Sequence, residues 1–101
     1  MIVVRDIFHI KFGKAREVTD LFKEGIAIFK KVGFGALNIR LLTDLVGEPY
    51  YTTILETMYE SVASWEQSSQ AVRGSEEWRV WYQKLIPLID NGERKIYSVV
   101  S

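Results

Sequence analysis

The sequence predicts one α+β domain in which helices cover one face of an antiparallel sheet. Three observations carry this reading. Hydrophobic residues switch along the chain between a period of two and a period near 3.6, in the order strand, helix, strand, strand, helical region, strand. At 101 residues, 48% hydrophobic and 26% charged, the chain can build one core but not two. Glycine, proline and asparagine punctuate the periodic stretches, and neither a short repeat nor a linker interrupts them, so 1–101 reads as a single domain.

Ile2–Phe12 reads as the first strand, with Phe8, Ile10 and Phe12 on one face and Arg5, Ile7, His9 and Lys11 on the other. Lys14–Val32 reads as a helix whose apolar arc holds Ala15, Val18, Leu21, Phe22, Gly25, Ile26, Ile28, Phe29 and Val32. Gly25 inside that arc predicts a close approach of the helix backbone to the sheet. Gly33 is placed for a left-handed cap. Leu37–Leu45 and Tyr50–Tyr59 read as a hairpin turned through Val46-Gly47-Glu48-Pro49. Ser61 is an N-cap for a short helix reaching Val72, and Arg73-Gly74 breaks it. Ser75 caps the next helix, with Glu76 and Glu77 at its positive end and a stripe of Trp78, Trp81, Tyr82, Leu85 and Ile89. Pro87 ends regular helix near Ile86. Asn91-Gly92 reads as a turn and Arg94–Val100 as the closing strand. Two βαβ-like halves with right-handed crossovers then give a four-stranded antiparallel sheet, the ferredoxin-like βαββα(α)β arrangement.

Composition narrows the function classes. Thirteen Lys+Arg balance thirteen Asp+Glu and lie interleaved, which argues against nucleic acid as a partner. Charge comes too early in Met1-Ile2-Val3-Val4-Arg5-Asp6 for a signal peptide, and no apolar run reaches membrane-spanning length, so a cytoplasmic protein without a membrane partner is expected. With no cysteine and one histidine, neither disulfides nor a metal site are expected. No phosphate-binding loop, nucleophile elbow or metal-ligand spacing is present, and Gly33-Phe34-Gly35 precedes a strand rather than opening a helix. No cofactor is expected.

The sheet face turned away from the helices carries Ile7, His9, Lys11, Asn38, Arg40 and Leu42, joined by Ile54, Glu56 and Met58. That mixture of large apolar groups and charges suits neither solvent nor a plain core. It fits two sheets packed across a two-fold axis with a lined cavity between them, the protein's partner being a second copy of itself. If the hairpin centres on Glu48, Arg40 and Glu56 face each other as an ion pair; a loop of another length would separate them.

Three stretches resemble the NIPSNAP-like branch of the dimeric α/β-barrel superfamily. They are Arg5-Asp6-Ile7-Phe8-His9-Ile10-Lys11-Phe12-Gly13-Lys14, Tyr59-Glu60-Ser61-Val62-Ala63-Ser64-Trp65-Glu66, and Trp78-Arg79-Val80-Trp81-Tyr82-Gln83-Lys84-Leu85-Ile86-Pro87-Leu88. Phe12 stands where that family commonly has proline. The resemblance implies a homodimer with a pocket, in a superfamily of cofactor-independent monooxygenases, haem-degrading enzymes, cyclases, isomerases and members without known activity. Haem-degrading members use a histidine on the helix after the third strand, and Ser61–Val72 has none.

Two functions are therefore expected in competition. The first is a homodimeric α/β barrel that binds a small, partly apolar ligand on the helix-free sheet face through Arg5, His9, Asn38, Arg40, Glu56 and Tyr97. The second is a cofactor-independent monooxygenase, isomerase or cyclase acting on an aromatic or polyketide-like substrate, with His9 or Glu56 as base and Arg40 holding an oxyanion. Against each candidate stands a plain structural role: a hydrogen-bonded histidine, a hairpin ion pair, a packed tyrosine. Trp65, Trp78 and Trp81 read as core or subunit-contact residues.

Overall fold

Alternation in the first strand decides which side of the sheet the helices cover. In a computed structural model, residues 1–47 and 50–101 are described, so Glu48 and Pro49 of the expected turn lie outside the described residues. Strand β1 (Ile2–Ile10) pairs antiparallel with both β3 (Thr52–Tyr59) and β4 (Ile89–Ser98), while β2 (Asn38–Thr43) pairs with β3, giving the order β2-β3-β1-β4. Ile2, Val4, Phe8 and Ile10 point to the helical side with Leu55, Tyr59, Ile39 and Leu41. The α+β ferredoxin-like prediction holds.

Helix α1 (Ala15–Val32) buries Val18, Phe22, Gly25 and Ile28 from the predicted arc. Its partner is α3 (Glu76–Leu85), and the junction between them is aromatic. Trp81 packs edge-on to Phe22 at 5.2 Å, and its Nε1 donates to the Leu21 carbonyl at 2.8 Å. Gly25 serves this junction rather than the sheet, because a Cβ there would lie 2.2 Å from Trp81 Cζ2. Ion pairs Lys31–Glu77 at 3.2 Å and Lys84–Glu24 at 3.4 Å flank the two helices. Helix α2 (Val62–Arg73) starts where predicted, with Ser61 Oγ accepting from Ser64 N at 3.1 Å; Ser75 caps α3 in the same way.

Several local expectations are corrected. Gly33 is extended (φ −87°, ψ 174°) rather than left-handed. What it supplies is closeness, since a Cβ would meet Phe29 O at 2.9 Å and Ser68 Oγ at 3.0 Å; Gly35, at φ +79°, makes the left-handed turn instead. Strand β1 ends at Ile10, leaving Phe12 86% exposed against the edge of Tyr51 instead of in the core. The hairpin strands are shorter than predicted, and Leu37 is exposed. The left-handed Tyr51 (φ 59°) before β3 is held by Asp44, whose carboxylate accepts from Tyr51 N and Thr52 N at 3.2 and 2.7 Å. Asn91-Gly92 is no turn: β4 runs straight through it, after a short 3₁₀ turn at Ile86–Leu88 and a bulge opposite His9/Ile10. Gly92 faces Phe8, and a Cβ there would crowd the Ile7 carbonyl at 3.2 Å.

Candidate functional site

On the helix-free face the register builds rows across the sheet. Arg40, Glu56, Arg5 and Lys95 form one row, because Arg40 pairs with Glu56, Glu56 with Arg5 and Arg5 with Lys95. The hairpin thus centres where the Arg40–Glu56 pairing requires. Glu56 is 6% exposed and is held on both sides. Arg5 Nε donates to Oε1 at 3.0 Å and Arg40 Nε to Oε2 at 2.7 Å. Burial opposes ionisation of this carboxyl, but the hydrogen bonds and charges of Arg40 and Arg5 outweigh it and hold the pKa below its ordinary value. A carboxylate so fixed is a weak base and a firm structural anchor. Arg5 also lies over the Tyr97 ring, 5.4 Å from its centroid.

Next to this row runs Leu42, Ile54 and Ile7, half-buried although no helix packs on them. His9 lies one row further, with Nε2 3.5 Å from Glu93 Oε1. Its Nδ1 is buried without a hydrogen-bond partner among the described residues. Asn38 begins β2 with its Oδ1 accepting from Ile39 N at 3.0 Å. The six residues singled out from the sequence share one face, and Arg5, Arg40, Glu56 and Tyr97 are brought into contact.

The cavity lies on the other side of the sheet. About 650 Å³ opens between α2, α3 and the helical side of β1 and β4. It exists because α1 and α3 cover β1 and β3, while β4 stays exposed along almost its whole length. Phe8, Phe22, Phe29, Trp65, Trp78 and Trp81 supply an aromatic lining. At the β4 side, Asp6 and Arg94 are opposite one another in register, and Arg94 Nε donates to Asp6 Oδ1 at 2.5 Å. The Arg94 guanidinium also sits 5.2 Å from the centroid of the Trp65 ring. Tyr59 lines the space as well; burial pushes its phenol pKa up, hydrogen bonds with Ser68 and Thr57 oppose this, and the charge of Asp6 adds to it. The chemistry on offer is a flat apolar slot with one guanidinium fixed by a carboxylate and stacked by an indole. Among the described residues no cluster of His, Asp and Glu could hold a metal ion.

The architecture can now be compared with solved proteins. An uncharacterised NIPSNAP-domain protein from Burkholderia xenovorans superposes with a TM-score of 0.87 at 14% identity, over 100% of this chain and 96% of that one. A NIPSNAP family protein from Agrobacterium tumefaciens gives 0.86 at 24% identity, covering 99% and 93% of the two chains. SnoaB, a cofactor-independent oxygenase from Streptomyces nogalater, gives 0.73 at 12% identity, covering 99% and 93%. The chain shares the fold of these NIPSNAP-domain proteins, a four-stranded antiparallel sheet with helices on one face. No protein-family model and no curated protein matches the sequence. At these identities the likeness is one of fold, and function must be argued from the site.

In this NIPSNAP-like fold, none of Arg5, His9, Asn38, Arg40, Glu56 and Tyr97 lines the 650 Å³ cavity. The sequence reading expected a cavity between two sheets on the helix-free face and did not foresee this space on the helical side, because alternation separates two faces without revealing that β4 lacks helical cover. Asp6, Arg94 and Trp65 were the residues missed as site candidates. One signal was available: Asp6 falls on the helix-facing side of β1, between Val4 and Phe8, where an unpaired carboxylate would be costly. No helix is long and apolar enough to cross a membrane among the described residues.

Proposed function

We propose that the protein is a homodimeric α/β barrel that binds a small, partly apolar ligand in the cavity between its sheet and helices α2 and α3. One observation carries the reading: a 650 Å³ space, within the size range of small-molecule sites, has aromatic walls around a single fixed ion pair. The other sheet face then has a separate role. Half-buried Ile7, Ile54 and Leu42 beside a satisfied Arg5–Glu56–Arg40 group suit packing against a second copy.

Titration with N-phenyl-1-naphthylamine, an uncharged aromatic probe that fluoresces when dry, tests the site. Ser69 lines the cavity from α2, so Ser69→Trp fills it and should abolish the signal, whereas Arg40→Ala on the opposite face should preserve it. Equal binding by both variants would overturn the assignment. Sedimentation tests the dimer: a two-chain species at micromolar concentration is expected, and Ile54→Glu should give monomers.

A second reading has one specific support. The Arg94 guanidinium, held by Asp6 inside the cavity, is positioned to donate to an enolate or phenolate oxygen, as a cofactor-independent oxygenase, isomerase or cyclase would require. Oxygen uptake with 1,4-dihydroxynaphthalene that exceeds the uncatalysed rate and falls in Arg94→Gln would favour it over simple binding.

A further inference from the structure

The charges that line the cavity are not evenly matched. Three arginines, Arg73, Arg79 and Arg94, face one acid, Asp6, because Glu93 turns its carboxylate toward His9 on the helix-free face, 3.5 Å from Nε2. Asp6 is engaged, accepting from Arg94 at 2.5 Å. Arg73 and Arg79 therefore remain, both on the helical wall at the junction of α2 and α3. They are tied together there, since Arg79 Nε donates to the Arg73 carbonyl at 3.2 Å while Arg73 Nε donates to the Ser69 carbonyl at 3.3 Å. Among the described residues Arg73 makes no ion pair, and the carboxylate nearest Arg79, Glu76, is 3.9 Å away on the same helix and exposed. A chain of zero net charge thus places two exposed guanidiniums, answered only by the long contact of Arg79 with Glu76, at the rim of an aromatic slot.

We propose that the ligand of this cavity is an aromatic carboxylic acid, its ring against the half-buried Trp65 and Trp78 and its carboxylate between Arg73 and Arg79. The proposal rests on the reading that the cavity binds a small ligand. Guanidinium groups favour carboxylates by charge-assisted, forked hydrogen bonding, and a rim position leaves the carboxylate partly hydrated while the ring is desolvated. Nearby exposed lysines on α1 and α3 do not offer this geometry, because Lys31 and Lys84 are already paired with Glu77 and Glu24.

Displacement of bound N-phenyl-1-naphthylamine by 2-naphthoate and by 2-naphthamide is the test, the two competitors sharing a ring system and differing in charge. Naphthoate should compete about tenfold more strongly at low salt, with the margin shrinking as salt rises. In the double variant Arg73→Gln, Arg79→Gln the margin should vanish while naphthamide competes as before. An equal loss of charge elsewhere, Arg16→Gln with Lys30→Gln, should leave it intact. Fluorescence of the neutral probe reports in each variant whether the cavity has formed. If the probe binds but the two competitors are equal in the native protein, the acid proposal is overturned and the cavity reading stands. A margin that survives in the Arg73, Arg79 variant, or falls equally in the Arg16, Lys30 control, overturns the assignment to this rim. If the probe does not bind, the cavity reading fails and takes this proposal with it.

Discussion

Replacing Gly25 with alanine should destabilise the protein, although alanine is the better helix former. The new Cβ would lie 2.2 Å from Trp81 Cζ2 and 2.4 Å from Cε2. Ordinary contact between carbons is ~3.5–4.0 Å, so the ring must move by more than roughly 1 Å. Trp81 is 1% exposed and is gripped by Phe22 and by Trp78, whose ring centroid is 4.6 Å away. Overpacking at such a place costs about 1–3 kcal/mol. Displacing the ring also strains the Nε1 bond to Leu21 O, a loss of about 1 kcal/mol. Alanine returns about 1 kcal/mol of helix propensity, leaving a net loss of about 2 kcal/mol. For a domain of this size that lowers Tm by about 8–16 °C. Urea and thermal unfolding followed by tryptophan fluorescence measure the effect. A Gly25→Ala protein as stable as the native one, or more stable, would refute the packing argument.

Other substitutions separate the roles of the two sheet faces. Glu56→Gln should cost about 1–2 kcal/mol at neutral pH, a value moderated by the exposure of Arg5 and Arg40. Because the folded pKa of Glu56 is depressed, its contribution is present above the unfolded value and disappears as pH falls through the folded one. Denaturant unfolding between neutral and acid pH should show the native protein losing more stability than Glu56→Gln; parallel curves would count against the ion-pair account. Ser68→Ala should cost about 1–2 kcal/mol in the same assay, because the buried Oγ accepts from Phe34 N at 3.1 Å and meets the Tyr59 hydroxyl at 3.4 Å. Phe12→Ser should change stability by less than about 0.5 kcal/mol, since the ring is exposed; a loss of core-residue size would return Phe12 to the interior.

The element order was legible because each element carries its own periodicity and caps. Ser61 and Ser75 cap the helices expected of them, and the arc from Val18 to Ile28 is the buried one. Legibility failed where a residue's reason lies in a distant partner. Gly25 answers to Trp81, Gly33 to Ser68, and Gly92 to Phe8 and the Ile7 carbonyl, and no local pattern contains those neighbours. A similar limit applied to the site. Arg5, Arg40 and Glu56 were found because they share a face and a register. Asp6 and Arg94 are far apart in the chain and meet only when β4 pairs with β1, in a strand whose start the Asn91-Gly92 signal concealed.

The central claim is that ligand enters between sheet and helices while the opposite face meets a second copy. A crystal structure of the protein grown with N-phenyl-1-naphthylamine tests it most directly. The account predicts probe density between α2, α3 and β4, against Trp65 and Trp78, in each protomer of a sheet-to-sheet dimer. Probe lodged between the two sheets beside Arg5 and Glu56, with only water on the helical side, would contradict it.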